Sequence, residues 1–132
     1  MNLTYVHAFA AALQAKDRDA MLAQMAEGVV LNTPLAAEPV CGKAAIRPVI
    51  DALMAAVDAF EIREILEGPA HAAAFFGATA GPHRLDGMDY WRLDAAGRIA
   101  EITVLWRPLP EAIAVRDRLV RIAETQGSAA AG

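Results

Sequence analysis

Serine is almost missing from this chain: Ser128 is the only one, close to the C-terminal end, which removes a serine nucleophile from consideration. Cysteine is as scarce. Cys41 stands alone, so no intrachain disulfide can form, and a reducing compartment, the cytoplasm, is the expectation. Lysine occurs only as Lys16 and Lys43, the arginines are scattered rather than striped, and the formal net charge is -4, so no nucleic-acid partner is expected. No apolar run approaches the roughly 18 residues of a bilayer span, and no basic-then-apolar leader opens the sequence, so no membrane partner is expected either. His7, His71 and His83 show no metal-ligand spacing. Neither a metal nor a cofactor is expected.

What is present is apolar. The hydrophobic fraction is 56%, but 31 of those residues are alanine, which offer little area each; part of the excess is expected to be covered by a second copy, as a homodimer. A chain of 132 residues buries one core and predicts one domain, residues 1–126, followed by a small-residue, flexible tail at 127–132.

Taken in order, Val6, Phe9, Ala10 and Leu13 mark one face of a helix over 3–15. After the polar break at Lys16-Asp17-Arg18-Asp19, the residues Met21, Leu22 and Met25 predict a second short helix, stopped by Gly28 in the left-handed conformation. Val29–Leu31 reads as a short strand and 32–39 as a loop. The apolar spacing of 43–59 predicts a third helix, with Pro48 making its first turn loose up to Arg47. Strands are expected over 60–66 and 71–80, and Pro110-Glu111 starts a last helix.

The strongest local signal lies between these elements. Two β-rich arms, 85–93 and 98–107, flank Asp94-Ala95-Ala96-Gly97, whose terminal Asp and Gly are hairpin chemistry. Strand alternation puts Leu85, Gly87, Asp89, Trp91 and Leu93 on one face, and Met88, Tyr90 and Arg92 on the other, outward one. An acid beside Trp91 and Leu93 is anomalous, because aspartate is depleted in strands and costly to bury unpaired. Asp89 therefore either reaches solvent at an edge or does chemistry. Helices followed by a long antiparallel hairpin give an α+β plan, a curved antiparallel sheet packed against N-terminal helices as a cone, with one further helix at the C-terminus.

The helical hairpin running into Gly28-Val29-Val30, the helix start Gly42-Lys43-Ala44-Ala45-Ile46, and the segment from Gly87 to Ile99 with its Asp94-to-Ile99 turn resemble the nuclear transport factor 2-like superfamily, nearest its SnoaL-like and ketosteroid isomerase-like members. The resemblance spans roughly 5–109 and implies fold far more than reaction. It places Asp89 where the isomerases carry a buried protonated aspartic acid, and Trp106 where a pocket tryptophan lies. It also places Thr33 at the general base and Phe9 at the hydrogen-bonding tyrosine. Neither residue can do those jobs, so steroid isomerisation by that mechanism is not expected.

The reading that follows is an apolar small-molecule pocket walled by Phe9, Leu13, Leu31, Thr33, Ile50, Met54, Phe75, Ile102, Val104 and Trp106, with Asp89 as its converging polar group. Asp89 is the candidate catalytic acid/base and His71 its candidate assistant, in a cofactor-independent isomerisation, cyclisation or dehydration of an apolar, cyclic substrate. The alternative is a non-catalytic ligand-binding or dimerisation module of the same fold.

Overall fold

The structure is a computed structural model that describes the backbone of residues 2–131 and side chains as far as Thr125. Its helices are α1 (Thr4–Ala15), α2 (Arg18–Ala23), α3 (Lys43–Ala56) and α4 (Leu109–Ala131). Its strands are β1 (Met25–Asn32), β2 (Val40–Cys41), β3 (Ala59–Gly68), β4 (His71–Ala80), β5 (His83–Leu93) and β6 (Ile99–Arg107). The strands form one curved, unclosed sheet in the order β2-β1-β6-β5-β4-β3. The fold is α+β, as expected. The residues read as a tail, 127–132, fall on the last turns of α4 up to Ala131, and Gly132 lies outside the described residues.

The central hairpin forms for the reasons its sequence contains. Asp94 accepts hydrogen bonds from the N–H groups of Ala96 and Arg98 at 2.9 and 3.0 Å, and Gly97 takes φ of 89°, a conformation that favours glycine. β5 is paired antiparallel to β4 on one side and β6 on the other, so it is the middle strand of the long sheet. Its burial alternates over nearly its whole length, with Leu85, Gly87, Asp89, Trp91 and Leu93 inward. The inner face packs on α1, α2 and α3, and Val6, Phe9, Leu13, Met21, Met25, Ile46, Ile50, Trp91 and Ile99 lie in that core. A smaller apolar cluster of Ala52, Ala56 and Leu119, with Leu35, Leu53 and Trp106 against it, joins α3 to α4.

Three local expectations are corrected. α2 has only six residues: Asp17 caps it through the N–H of Ala20, and the chain is already extended at Met25, so Gly28 lies within a strand rather than ending a helix. The Met25–Val30 stretch carries a register shift against β6, and a bulged stretch tolerates the glycine. α3 is regular from Lys43, with Pro48 inside it and no loose first turn. Proline removes only the bond to the carbonyl of Ala44, and both residues are on the exposed side, where water reaches that carbonyl. Finally, β1 runs parallel to β6, pairing Leu31 with Ile102 and Asn32 with Thr103, so the sheet is mixed at one edge, and Val40–Cys41 adds a sixth, two-residue strand outside it.

Candidate functional site

Asp89 occupies the middle of β5, opposite Ala74 on β4 and Val104 on β6. Strand alternation sends it inward, under the helices. It is 5% exposed and is the only buried charged or polar residue among the described residues. No described residue gives it a hydrogen bond of ordinary distance and angle. The indole N–H of Trp91, two residues along the same face, is near enough to favour the ionised carboxylate, yet it too lacks a formed hydrogen bond; the contact is loose. Burial dominates and pushes the Asp89 carboxyl from its ordinary 3.8 up to about 7, with the Trp91 N–H opposing.

The carboxyl borders a cavity of about 70 Å³, or about 690 Å³ once all unfilled space open to solvent is counted. Apart from the indole N–H that Trp106 carries, Asp89 and Thr33 are the only polar side chains among the described residues that line it. The Thr33 hydroxyl oxygen accepts from the N–H of Leu35 at 3.2 Å, which leaves its own O–H to donate. Of the wall residues expected from sequence, Phe9, Leu13, Leu31, Thr33, Ile50, Ile102, Val104 and Trp106 line this cavity.

Three expected site residues are placed elsewhere. Phe75 is 42% exposed on the outer face, because β4 turns Ala72, Ala74, Phe76 and Ala78 inward; Phe76 lines the cavity in its stead. Glycine at position 87 makes room for it, since a Cβ there would stand 2.2 Å from the ring of Phe76. Met54 is buried in the core at 2% exposure but does not line the cavity, which takes Ile46, Val49, Ile50 and Leu53 from α3. His71, the candidate assistant, shares the outer face with Phe75. Its ring lies 5.8 Å from that of Tyr90, and the sheet separates it from Asp89.

The remaining lining residues, including Met21, Met25, Pro34, Leu35, Phe60 and Leu119, come from elements far apart in sequence. The α3 set had a legible signal in its i, i+3, i+4, i+7 spacing. Pro34, Leu35 and Leu119 had none, because only the tertiary fold brings the loop after β1 against α4.

The sequence profile of the SnoaL-like domain matches residues 6–102. The chain belongs to the SnoaL-like domain family. Solved structures agree in fold: a steroid delta-isomerase from Pseudomonas aeruginosa superposes with a TM-score of 0.84 at 20% identity, covering 97% of this chain and 93% of the other. An uncharacterized bacterial protein with a cystatin-like fold from Silicibacter pomeroyi gives 0.84 at 21% identity, covering 90% and 84%. The epoxide hydrolase/cyclase-like enzyme SalBIII, of pyran ring formation in the polyether salinomycin, gives 0.68 at 19% identity, covering 81% and 90%. No curated protein matches.

Within this SnoaL-like domain no three His, Cys, Asp or Glu side chains converge among the described residues. No helix among them is long and apolar enough to cross a membrane. Among the described residues, the polar groups lining the cavity are one carboxyl, one hydroxyl and the indole N–H of Trp106, in an otherwise apolar wall.

Proposed function

We propose that this SnoaL-like protein takes a compact, mostly apolar, cyclic small molecule into the cavity and that Asp89 exchanges a proton with it, in a cofactor-independent isomerisation, cyclisation or dehydration in the cytoplasm. The observation that carries the reading is the unpaired, buried Asp89 carboxyl, which burial holds near 7, so that both its protonated and ionised forms are accessible near neutral pH. As an acid it donates to a carbonyl or ether oxygen; as a carboxylate it accepts a proton from carbon or oxygen. The relatives named as an isomerase and a hydrolase/cyclase-like enzyme support this class of reaction without fixing its substrate. On the mapping that the resemblance implies, Thr33 and Phe9 stand at the base and the tyrosine of the steroid isomerases and supply neither a base nor a phenol, which argues against that mechanism here.

The test is proton exchange. A panel of small cyclic enones incubated with the protein in D₂O is expected to exchange α-protons by NMR, with the rate lost in Asp89→Asn, while a Δ5-3-ketosteroid shows no turnover above background. Exchange that survives in Asp89→Asn contradicts the assignment; uptake of an enone with no exchange in the wild type supports the non-catalytic alternative instead.

The outer sheet face supports a homodimer. Phe75, Met88 and Leu105 stand in one cross-strand row, and Tyr90 and the half-exposed Leu66 flank it, a contiguous apolar patch of the kind subunit interfaces cover. Sedimentation equilibrium is expected to give twice the 14.0 kDa chain mass, and the chain mass again in Phe75→Arg/Leu105→Arg. A wild type that stays at the chain mass at micromolar concentration rules the dimer out.

A further inference from the structure

Beside Asp89, but not among the residues that line the cavity, lies a buried polar group that the proposed reaction leaves idle. Trp91 follows two residues later on the same inward face of β5 and is 0% exposed. Phe9 packs its ring edge-on against the indole, with centroids 5.6 Å apart at 73°, so the indole is held in place. Its N–H has no hydrogen-bond partner among the described residues. A buried donor left unpaired is rare in folded proteins and calls for a specific explanation.

The neighbours offer that N–H no side-chain acceptor. Ala72 and Ile102 lie opposite Trp91 on β4 and β6, and Phe9 covers it from α1. The carboxyl within reach is that of Asp89, which already registers the N–H as a donor favouring its ionised form. A neutral carboxyl attracts an N–H weakly. A carboxylate attracts it about twice as strongly, through a charge-assisted hydrogen bond.

We propose that Trp91 is a positioning residue for Asp89: its fixed indole N–H closes a hydrogen bond onto the carboxylate when Asp89 gives its proton to the bound molecule, and releases it when the proton returns. The indole keeps its own proton throughout, and the proton that Asp89 loses appears on the ligand. The inference rests on the reading of Asp89 as an acid/base. It explains how a carboxylate can form transiently in a mostly apolar wall.

No other titratable group interferes. Asp89 is the only one lining the cavity, to which α1, α2, α3 and α4 contribute apolar side chains such as Phe9, Met21, Ile46 and Leu119. On β5 itself, Asp86 and Arg92 point to the outer face. No charged side chain of the surrounding elements lines the cavity, and several pair with one another, as in Arg47 with Asp19, Lys43 with Glu27 and Arg92 with Glu101.

The chain has only two tryptophans, so the two indole N–H resonances of 15N-labelled protein are assigned with Trp106→Phe. Between pH 5 and pH 9 the Trp91 indole proton is expected to move downfield with the same midpoint as the Asp89 carboxyl carbon. The transition disappears in Asp89→Asn. In Trp91→Phe the Asp89 midpoint rises by about one pH unit, because the ionised form has lost its donor. If Asp89 titrates in this range while the Trp91 indole stays still, the proposal falls and the acid/base reading stands. If Asp89 does not titrate at all between pH 5 and pH 9, the acid/base reading falls and takes the proposal with it. Should Trp91→Phe fail to fold, the wild-type indole titration decides alone.

Discussion

Asp86 and Asp89 lie three residues apart on one strand, yet their surroundings pull the two carboxyls in opposite directions. Asp86 faces outward, where Arg63 at 2.7 Å and Arg107 at 3.0 Å hold it ionised and below its ordinary value, Arg63 contributing most. Asp89 faces inward, with no cation near it, and burial raises it. An odd number of residues along a strand reverses the face, and the face decides the charge state. The same residue type therefore serves as a surface ion-pair partner in one place and as a candidate acid in the other.

The contrast between faces is sharpest at the next pair of residues. Trp91 is fully buried and Tyr90 is 36% exposed. Trp91→Ala is expected to cost about 3–5 kcal/mol by urea unfolding, and Tyr90→Ala less than about 1 kcal/mol at concentrations too low for association. Equal losses would mean that the sheet does not have one inner and one outer face as described. A smaller effect is expected one alternation earlier. Gly87→Ala forces the Phe76 ring out of its place in the cavity wall and is expected to cost about 1–3 kcal/mol.

The smallest effect belongs to Asp86. Its folded value is depressed, so the stability it contributes is present above the unfolded value of 3.8 and is lost as pH falls through the lower, folded value. Both ion pairs are exposed and screened by solvent and salt. Asp86→Asn is thus expected to be slightly less stable than wild type at pH 7 and equal to it in strong acid, by thermal unfolding. A mutant equal to wild type at pH 7 would show that these surface pairs contribute nothing.

This two-faced strand was legible in the sequence because the β-rich run from Leu85 to Leu93 must alternate its side chains, and the Asp94–Gly97 turn fixes where it ends. The inward direction of Asp89 and most of the cavity wall follow from that register. β4 was not legible in the same way. Alanine stands on both of its faces, so the apolar pattern did not separate Phe75 from Phe76, and only the pairing of Phe76 with Gly87 does so. His71 was misplaced for the same reason, since a strand-end residue before three alanines carries no face signal. The end of α2 was not legible, because Met25 continues the helix face of Met21 and Leu22, and the parallel pairing of β1 with β6 that makes it extended is a contact between residues about seventy positions apart. Leu119 reaches the cavity only through the packing of α4 on α3, which no local pattern encodes.

The central claim is that Asp89 is buried, without an ion-pair partner, and holds its proton up to about 7, and comparing the pH dependence of wild type with that of Asp89→Asn tests it most directly. The folded protein keeps this proton up to about 7, while the unfolded chain releases it near 3.8. Between those values the folded state binds more protons, so the wild type loses stability as pH rises. Denaturant unfolding at pH 5 and pH 8 should show the wild type losing about 3 kcal/mol relative to Asp89→Asn over that interval. A wild type that instead gains stability relative to Asp89→Asn from pH 5 to pH 8 would mean an ion-paired Asp89 with a depressed pKa, and would contradict the account.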